Sequence, residues 1–410
     1  MTRTLHTPLA RYAARLHAAA GDRHHVASPL GAWLLLALAA PAATGADRDE
    51  LEDVLGVGAP AAAELAGALL DRPHPLVPSA TAVWQQAGHD TARLAEWRAT
   101  LPRTTATGPL PDQPGLDAWA REHTLGLIDR FPLTRSPEVL LALASALATR
   151  ISWADPFDLA PAGQLGRASA WAGRLDRVLR SPARGHRTWI AATGPAGDAA
   201  VHAAPAVERD GAALVVVSVA ADPSTPAADV LAAAYEVAAT AVDEAPAGRR
   251  SLFALPLGDG PAWTVREKRV HTHAPDGREE RHTAVLPCWS ARDEHDLTAP
   301  ALGFPAVVRT LGGLLGEPAP RLEARQAAMA RYGRYGFEAA AVTAAFALAS
   351  LAPEGVARTA ELRFGHPYAV VAVATDRNGG PWHGVPVFSA WVAEPEEPAT
   401  TDLADPPEEF

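Results

Sequence analysis

The apolar pattern changes period part-way along the chain, and that change restricts the fold more than any other feature of the sequence. Over the first third the spacing is helical. Residues 1–21 fit an amphipathic helix, and Ser28 followed by Pro29 reads as an N-cap and first helical position for the apolar run 29–43. Residues 47–55 carry acids in their first turn, which suits the helix dipole. Residues 116–131 repeat apolar side chains at Leu116, Trp119, Leu125, Leu127 and Ile128, again a helical spacing. From residue 138 the texture is that of strands. Residues 139–153 are long and mostly apolar, and residues 212–219 (AALVVVSV) are short and β-branched, as a buried strand requires. Residues 263–273 and 278–288 flank Pro275-Asp276-Gly277 and predict a hairpin; residues 368–375 and 385–392 flank the turn 376–380 in the same way. Helices first and strands later, without internal repeat or interdomain linker, predict one α+β domain over residues 1–393. The acidic, Pro-rich stretch 394–410 is expected to be a disordered tail.

Composition removes several functions. Hydrophobic residues make up 48% of the 410 and charged residues 20%, enough apolar surface for a sizeable core and too little polarity for bulk disorder. A net charge of −11 argues against nucleic acid or an anionic membrane as partner. The single cysteine, Cys288, excludes an intramolecular disulfide and any multi-cysteine metal site. No continuous apolar block opens the chain, and the run 29–43 is short for a membrane span and contains Pro41. The expectation is a soluble, cytoplasmic protein whose 29–43 helix is buried.

Catalytic and metal motifs are sparse. His271, His273 and His282 would face one another across the hairpin, and two of them share a face, but a zinc site needs a further ligand and none is evident. There is no G-x-S-x-G and no H-E-x-x-H. Cys288 follows Leu286-Pro287 in an apparent strand and reads as a small buried hydrophobe. The glycines of LGGLLG, residues 311–316, match no phosphate-binding pattern, and His24-His25 reads as part of a solvated turn. No cofactor is expected, and no enzymatic constellation emerges.

The segment 336–352, GFEAAAVTAAFALASLA, is ambivalent. Its alanines favour helix, yet its alternation puts Phe337, Ala339, Ala341, Thr343, Ala345 and Ala347 on one face, small after Phe337 and acceptable in a buried strand. It runs from Phe337 to Ala352 without proline, and Pro353 follows.

Five motifs in order then resemble the serpin family over nearly the whole chain. Val26-Ala27-Ser28-Pro29-Leu30 with Gly45-Ala46-Asp47 resembles its opening, and LDAWAREHTLGLI (116–128) a helix bearing a Trp. ASALATRISWADPF (144–157) resembles the strand that ends in Trp153, Pro156 and Phe157. Gly336, Glu338, Ala339, Ala340, Ala341 and Thr343 match the loop hinge, and Phe364 with His366-Pro367-Tyr368 the closing strands. The alanine- and arginine-rich composition, with Lys268 the sole lysine, fits a bacterial member from a GC-rich genome.

The resemblance implies three β-sheets, about eight or nine helices and an exposed reactive loop near residues 336–360. In inhibitory members a serine (or cysteine) protease cleaves the loop, which then inserts as a central strand and traps the acyl-enzyme; serpin insertion is a standing example of strand addition and strain release. Register along the loop places the scissile bond near Ser350-Leu351, suited to an elastase- or subtilisin-like protease, while Arg358 would suit a trypsin-like one. A monomer is expected. Departures from the family pattern imply the alternative, a non-inhibitory serpin fold that binds a peptide or small molecule or serves a biosynthetic pathway. The first hinge position is Phe337 rather than Thr or Ser, and overpacking there would cost about 1–3 kcal/mol on insertion. The strand-opening shutter reads Ser28, Ser145 and Gln326, with Gly31 in place of a second Ser. Near the mouth of the gap, Cys288 and Arg334 stand where some members carry a Lys–Glu pair, and RYGRY (331–335) replaces an acidic run.

Overall fold

The computed structural model describes residues 5–134, 136, 139–243, 245–260, 262–316, 324–336 and 353–404. In chain order the elements are α1 (His6–Ala20), β1 (His25–Ala27), α2 (Pro29–Ala39), α3 (Gly45–Leu55), α4 (Ala59–Leu70), β2 (Ser79–Gln85), α5 (Ala92–Arg98), β3 (Ala106–Pro109), α6 (Gln113–His123) and β4 (Leu141–Leu147). There follow β5 (Asp158–Pro161), β6 (Arg177–Arg180), β7 (Arg187–Thr193), β8 (Gly197–Pro205), β9 (Ala212–Ala220), α7 (Ala227–Ala238), β10 (Gly258–Asp259), β11 (Trp263–His271), β12 (Arg278–Leu286) and β13 (Trp289–Asp296). The last are α8 (Phe304–Leu315), β14 (Arg325–Tyr332), β15 (Glu354–Arg363), β16 (Tyr368–Asp376), β17 (Val385–Val392) and α9 (Thr400–Leu403).

Helix α2 forms where Ser28 and Pro29 predict it. The Ser28 hydroxyl accepts from Gly31 N at 3.2 Å, and every residue of the helix is buried, so an apolar run without a polar face becomes the central helix of the core. It packs on β4 and on β17 of a six-stranded sheet β1-β17-β16-β9-β8-β7, and a second six-stranded sheet runs in the order β10-β11-β15-β12-β6-β5. The remaining strands form a three-stranded piece β3-β2-β4 and a two-stranded piece β13-β14. Helix α7 covers the outer face of the first sheet through Val230, Leu231 and Ala234 against Val217, Val219 and Val371.

Three local expectations change. The strands 263–271 and 278–286 do not form a hairpin with one another: β15 lies between them, antiparallel to β11 and parallel to β12. Two strands joined by a tight turn normally pair, but here a distant strand supplies hydrogen bonds to both. The helix expected over 116–131 ends at His123, because Leu125 and Gly126 adopt positive φ (55° and 73°) and break the ladder. Residues 394–404, assigned to a disordered tail, are ordered: Glu396 N donates to Cys288 O at 2.7 Å, and Asp402 in α9 is buried. The β16–β17 hairpin is as the sequence predicts. Among the described residues no single helix is long and apolar enough to cross a membrane.

Candidate functional site at the sheet gap

Strands β4 and β14 are the facing edges of the three- and two-stranded pieces and do not pair. Both border one cavity of about 470 Å³, whose walls include Leu143 and Ala144 of β4, Leu297, Phe304 and Leu311 from the β13–α8 side, and Gln326 of β14. Among the described residues no strand pairs with these two edges beside the apolar cavity, and an added strand would supply a ladder partner for their backbone donors and acceptors. On β4 the buried positions are Ala142, Ala144 and Ala146, and α6 packs over Ala142 and Ala144 through Leu116 and Ala120.

The shutter residues named from sequence meet at one end of this gap. The Gln326 amide accepts from Ser28 N at 2.9 Å and donates to Ser28 O at 2.8 Å, so it acts toward the Ser28 backbone as a neighbouring strand would. The Ser28 hydroxyl donates to Val387 O at 3.0 Å, and the Ser145 hydroxyl to Gly31 O at 2.9 Å. Gly31 has a steric cause: a Cβ there would lie 3.2 Å from both Ser145 Oγ and Leu147 Cδ1.

At the other end the chain leaving β14 crosses to the β4–β5 connection. Trp153 donates its indole N–H to Gly333 O at 2.9 Å and its backbone N–H to Tyr335 O at 3.1 Å. Phe157 N donates to Arg334 O at 3.1 Å, and Gly336 bridges Ser152. Gly336 has φ 82°, and a Cβ would collide with the Ile151 carbonyl, so glycine alone fits this close approach. Arg334 is bound to the C-terminal segment. Its guanidinium donates to Phe157 O, Asp402 O and Ala404 O, and its N–H to the Asp402 carboxylate at 3.0 Å. The same carboxylate pairs with Arg331 at 3.0 Å. Sequence reasoning missed Asp402, one acid among many in an acidic tail, with no local pattern to single it out. Cys288 is buried beside it; burial first, then the Asp402 charge, push the thiol far above its usual range and leave it unreactive.

Residues 337–352, with the hinge positions Phe337, Glu338, Ala339, Ala340, Ala341 and Thr343 and the scissile candidates Ser350 and Leu351, lie outside the described residues. Arg358 lies inside β15, and this corrects its candidacy as an exposed cleavage site. Its guanidinium pairs with Glu267 at 2.8 Å, donates to Leu252 O and Leu255 O, and sits 4.9 Å above the Phe253 ring. Cleavage there would first require a central strand to leave its sheet. The intercalated β15 also separates His271 from His282, which align with Glu354 and Ala360 respectively. Among the described residues no group of three or more His, Cys, Asp or Glu could hold a metal ion.

The fold as a whole is similar to several solved structures. Tengpin, a thermophilic serpin in its native state, superposes with a TM-score of 0.61 at 13% identity over 95% of this chain and 94% of its own. The chain has the serpin fold. Human thyroxine-binding globulin complexed with thyroxine matches with a TM-score of 0.60 at 13% identity, covering 97% of this chain and 100% of that one. An Arabidopsis serpin in a native stressed conformation matches with 0.57 at 15%, over 96% and 98%. No family model and no curated protein matches the sequence. A serpin fold at such low identity means that the architecture persists while most side chains have changed. The expected α+β class and serpin architecture therefore stand, with nine α-helices among the described residues, two six-stranded sheets and separate three- and two-stranded pieces.

Proposed function

We propose that the protein is a suicide-substrate inhibitor of a serine, or cysteine, protease, with cleavage near Ser350-Leu351 and insertion of the hinge between β4 and β14. The observation that carries this reading is the gap between β4 and β14, unpaired among the described residues: both strand edges border an apolar cavity, and in sequence the sixteen residues 337–352 follow Gly336 at its mouth and precede Pro353. Insertion would satisfy both edges and bury alanine surface. The hinge lacks proline, which a central strand could not accommodate. The protease favoured is elastase- or subtilisin-like. The test combines a protease panel with thermal unfolding of intact protein and of protein nicked within residues 344–352. A denaturant-resistant covalent adduct and a large rise in Tm after nicking are expected, with Phe337→Thr raising the yield of adduct. Ordinary turnover across the panel with an unchanged melt would overturn the reading.

A second reading rests on a different observation. An apolar groove of about 620 Å³ lies between α1 and α7, lined by Ala10, Ala14, Leu231 and Tyr235 with Arg11 and Glu236. One of the similar solved structures is a thyroxine-binding globulin complexed with thyroxine. A small amphipathic ligand in this groove would make the protein a non-inhibitory carrier. Equilibrium dialysis with thyroxine as the probe checks it: saturable binding abolished by Ala14→Trp supports the carrier reading, and no saturable binding removes it.

A further inference from the structure

His25, expected in a solvated turn, is fully buried and belongs to a hydrogen-bond chain with a fixed direction. Its Nδ1 lies 2.8 Å from Arg23 O, and a carbonyl only accepts, so Nδ1 carries the hydrogen. The neutral ring then presents a bare Nε2, 2.7 Å from His17 Nδ1, which must donate. His17 Nε2 is bare in turn and accepts from the Ser389 hydroxyl at 2.7 Å, and Ser389 accepts from Tyr235 OH at 3.0 Å. Each donor has one acceptor from α7 through β17 and α1 to β1. An added proton has no place in it. On His25 it would set two N–H groups against each other; on His17 it would turn Ser389 away from its acceptor.

The chain ends where β1 meets the gap-side strands. One edge of β1 pairs with β17, while side chains from β13 and β14 bond the rest. Asp293 accepts from Val26 N at 2.9 Å, His295 Nε2 donates to Val26 O at 2.7 Å, and Gln326 holds both backbone groups of Ser28. His295 packs edge-on against His25 with ring centroids 5.9 Å apart, and His25 lies 5.0 Å from His17. The other charged or titratable groups facing this cluster are Arg23, paired with Asp293; His24, which donates to Ser290 O; and His6, whose Nε2 is 2.8 Å from Tyr235 O. Burial, and then the neighbouring imidazoles, hold His17 down to about 3, and burial also lowers His25 and His295.

We propose that the chain Tyr235–Ser389–His17–His25, with His295, is an acid-sensitive fastening that holds the β13–β14 pair on β1, and that protonation releases this pair and widens the sheet gap. The inference does not require loop insertion, so its test is read in strand protection and not in protease inhibition. Each imidazole kept neutral in the closed form makes opening about tenfold easier per pH unit below its ordinary value near 6.5. Hydrogen exchange of full-length protein between pH 7.5 and 5.0, corrected for intrinsic rates, tests it in the wild type and in His25→Asn/His295→Gln. Asn and Gln keep the donors to Arg23 O and Val26 O and cannot be protonated.

The opening population of residues 289–296 and 325–332 should rise more than tenfold between pH 6.5 and 5.0 in the wild type. That of helices α3 and α4, which carry no histidine, should change far less, and the double variant should lose at least half of the acid response. Equal loss of protection in β13–β14 and in these helices, or a full acid response in the variant, would overturn the proposal. Should the variant fail to fold, the wild-type comparison of β13–β14 with α3 and α4 decides alone.

Discussion

Gly336 and Gln326 show how single residues shape the two ends of the gap. Gly336 combines positive φ with a backbone approach that excludes a Cβ, so Gly336→Ala must move either β14's exit or the Ile151 carbonyl. A loss of about 1–3 kcal/mol is expected, measurable as a lower denaturation midpoint at unchanged slope. Gln326→Ala removes both hydrogen bonds to Ser28 and leaves a buried N–H and C=O unpaired. It should cost about 1–3 kcal/mol. Gln326→His would restore one of the two bonds at most, so its melt should fall between alanine and wild type. Equal melts for all three proteins would show that the shutter contributes nothing to stability.

At the scale of elements, the C-terminal segment matters more than its composition suggests. Asp402 ties α9 to Arg331 and to the Arg334 backbone, and Tyr335 donates to Ala404 O at 2.9 Å, so the segment clasps residues 331–336 at the end of β14. Asp402→Ala should lower the Tm of the intact protein by several degrees and increase hydrogen exchange across residues 331–336, because a buried acceptor of charged and backbone donors is lost. An unchanged melt and unchanged exchange would reduce the clasp to passive packing. The intercalated β15 illustrates why the hairpin reading misled. The turn at 275–277 is real, with Arg278 N donating to Asp276 Oδ1 at 3.0 Å, but turn chemistry reports only that the chain reverses. Which strand fills the space between the two arms is set by residues more than 70 positions away, and local alternation carries no trace of it.

For the molecule as a whole, acid sensitivity follows from several buried and half-buried imidazoles at once. His17 is held down to about 3, and His186 and His282 to about 4, each chiefly by burial. Their folded-state values lie below the unfolded value near 6.5, so the unfolded chain binds more protons. Stability is then fully present above about pH 6.5 and falls with pH through the window down to about 4 and 3. Urea titrations should show a midpoint that declines steeply from pH 6.5 to 4.5 and is flat from 7 to 8; a flat profile throughout would mean that these rings are solvated.

The sequence by itself determined the α+β class, the buried helix after Ser28-Pro29 and the β16–β17 hairpin. These follow from periodicity, capping and turn chemistry, or from motif order along the chain, all of which act over short separations. Tertiary structure alone decided that β15 parts β11 from β12, that Asp402 reaches Arg331 and Arg334, and that His25 is buried beside His17. Each of these depends on which distant surfaces meet. A histidine in a polar turn and a histidine in a dry core look alike in sequence, because burial is a property of what packs over the residue and not of its neighbours along the chain.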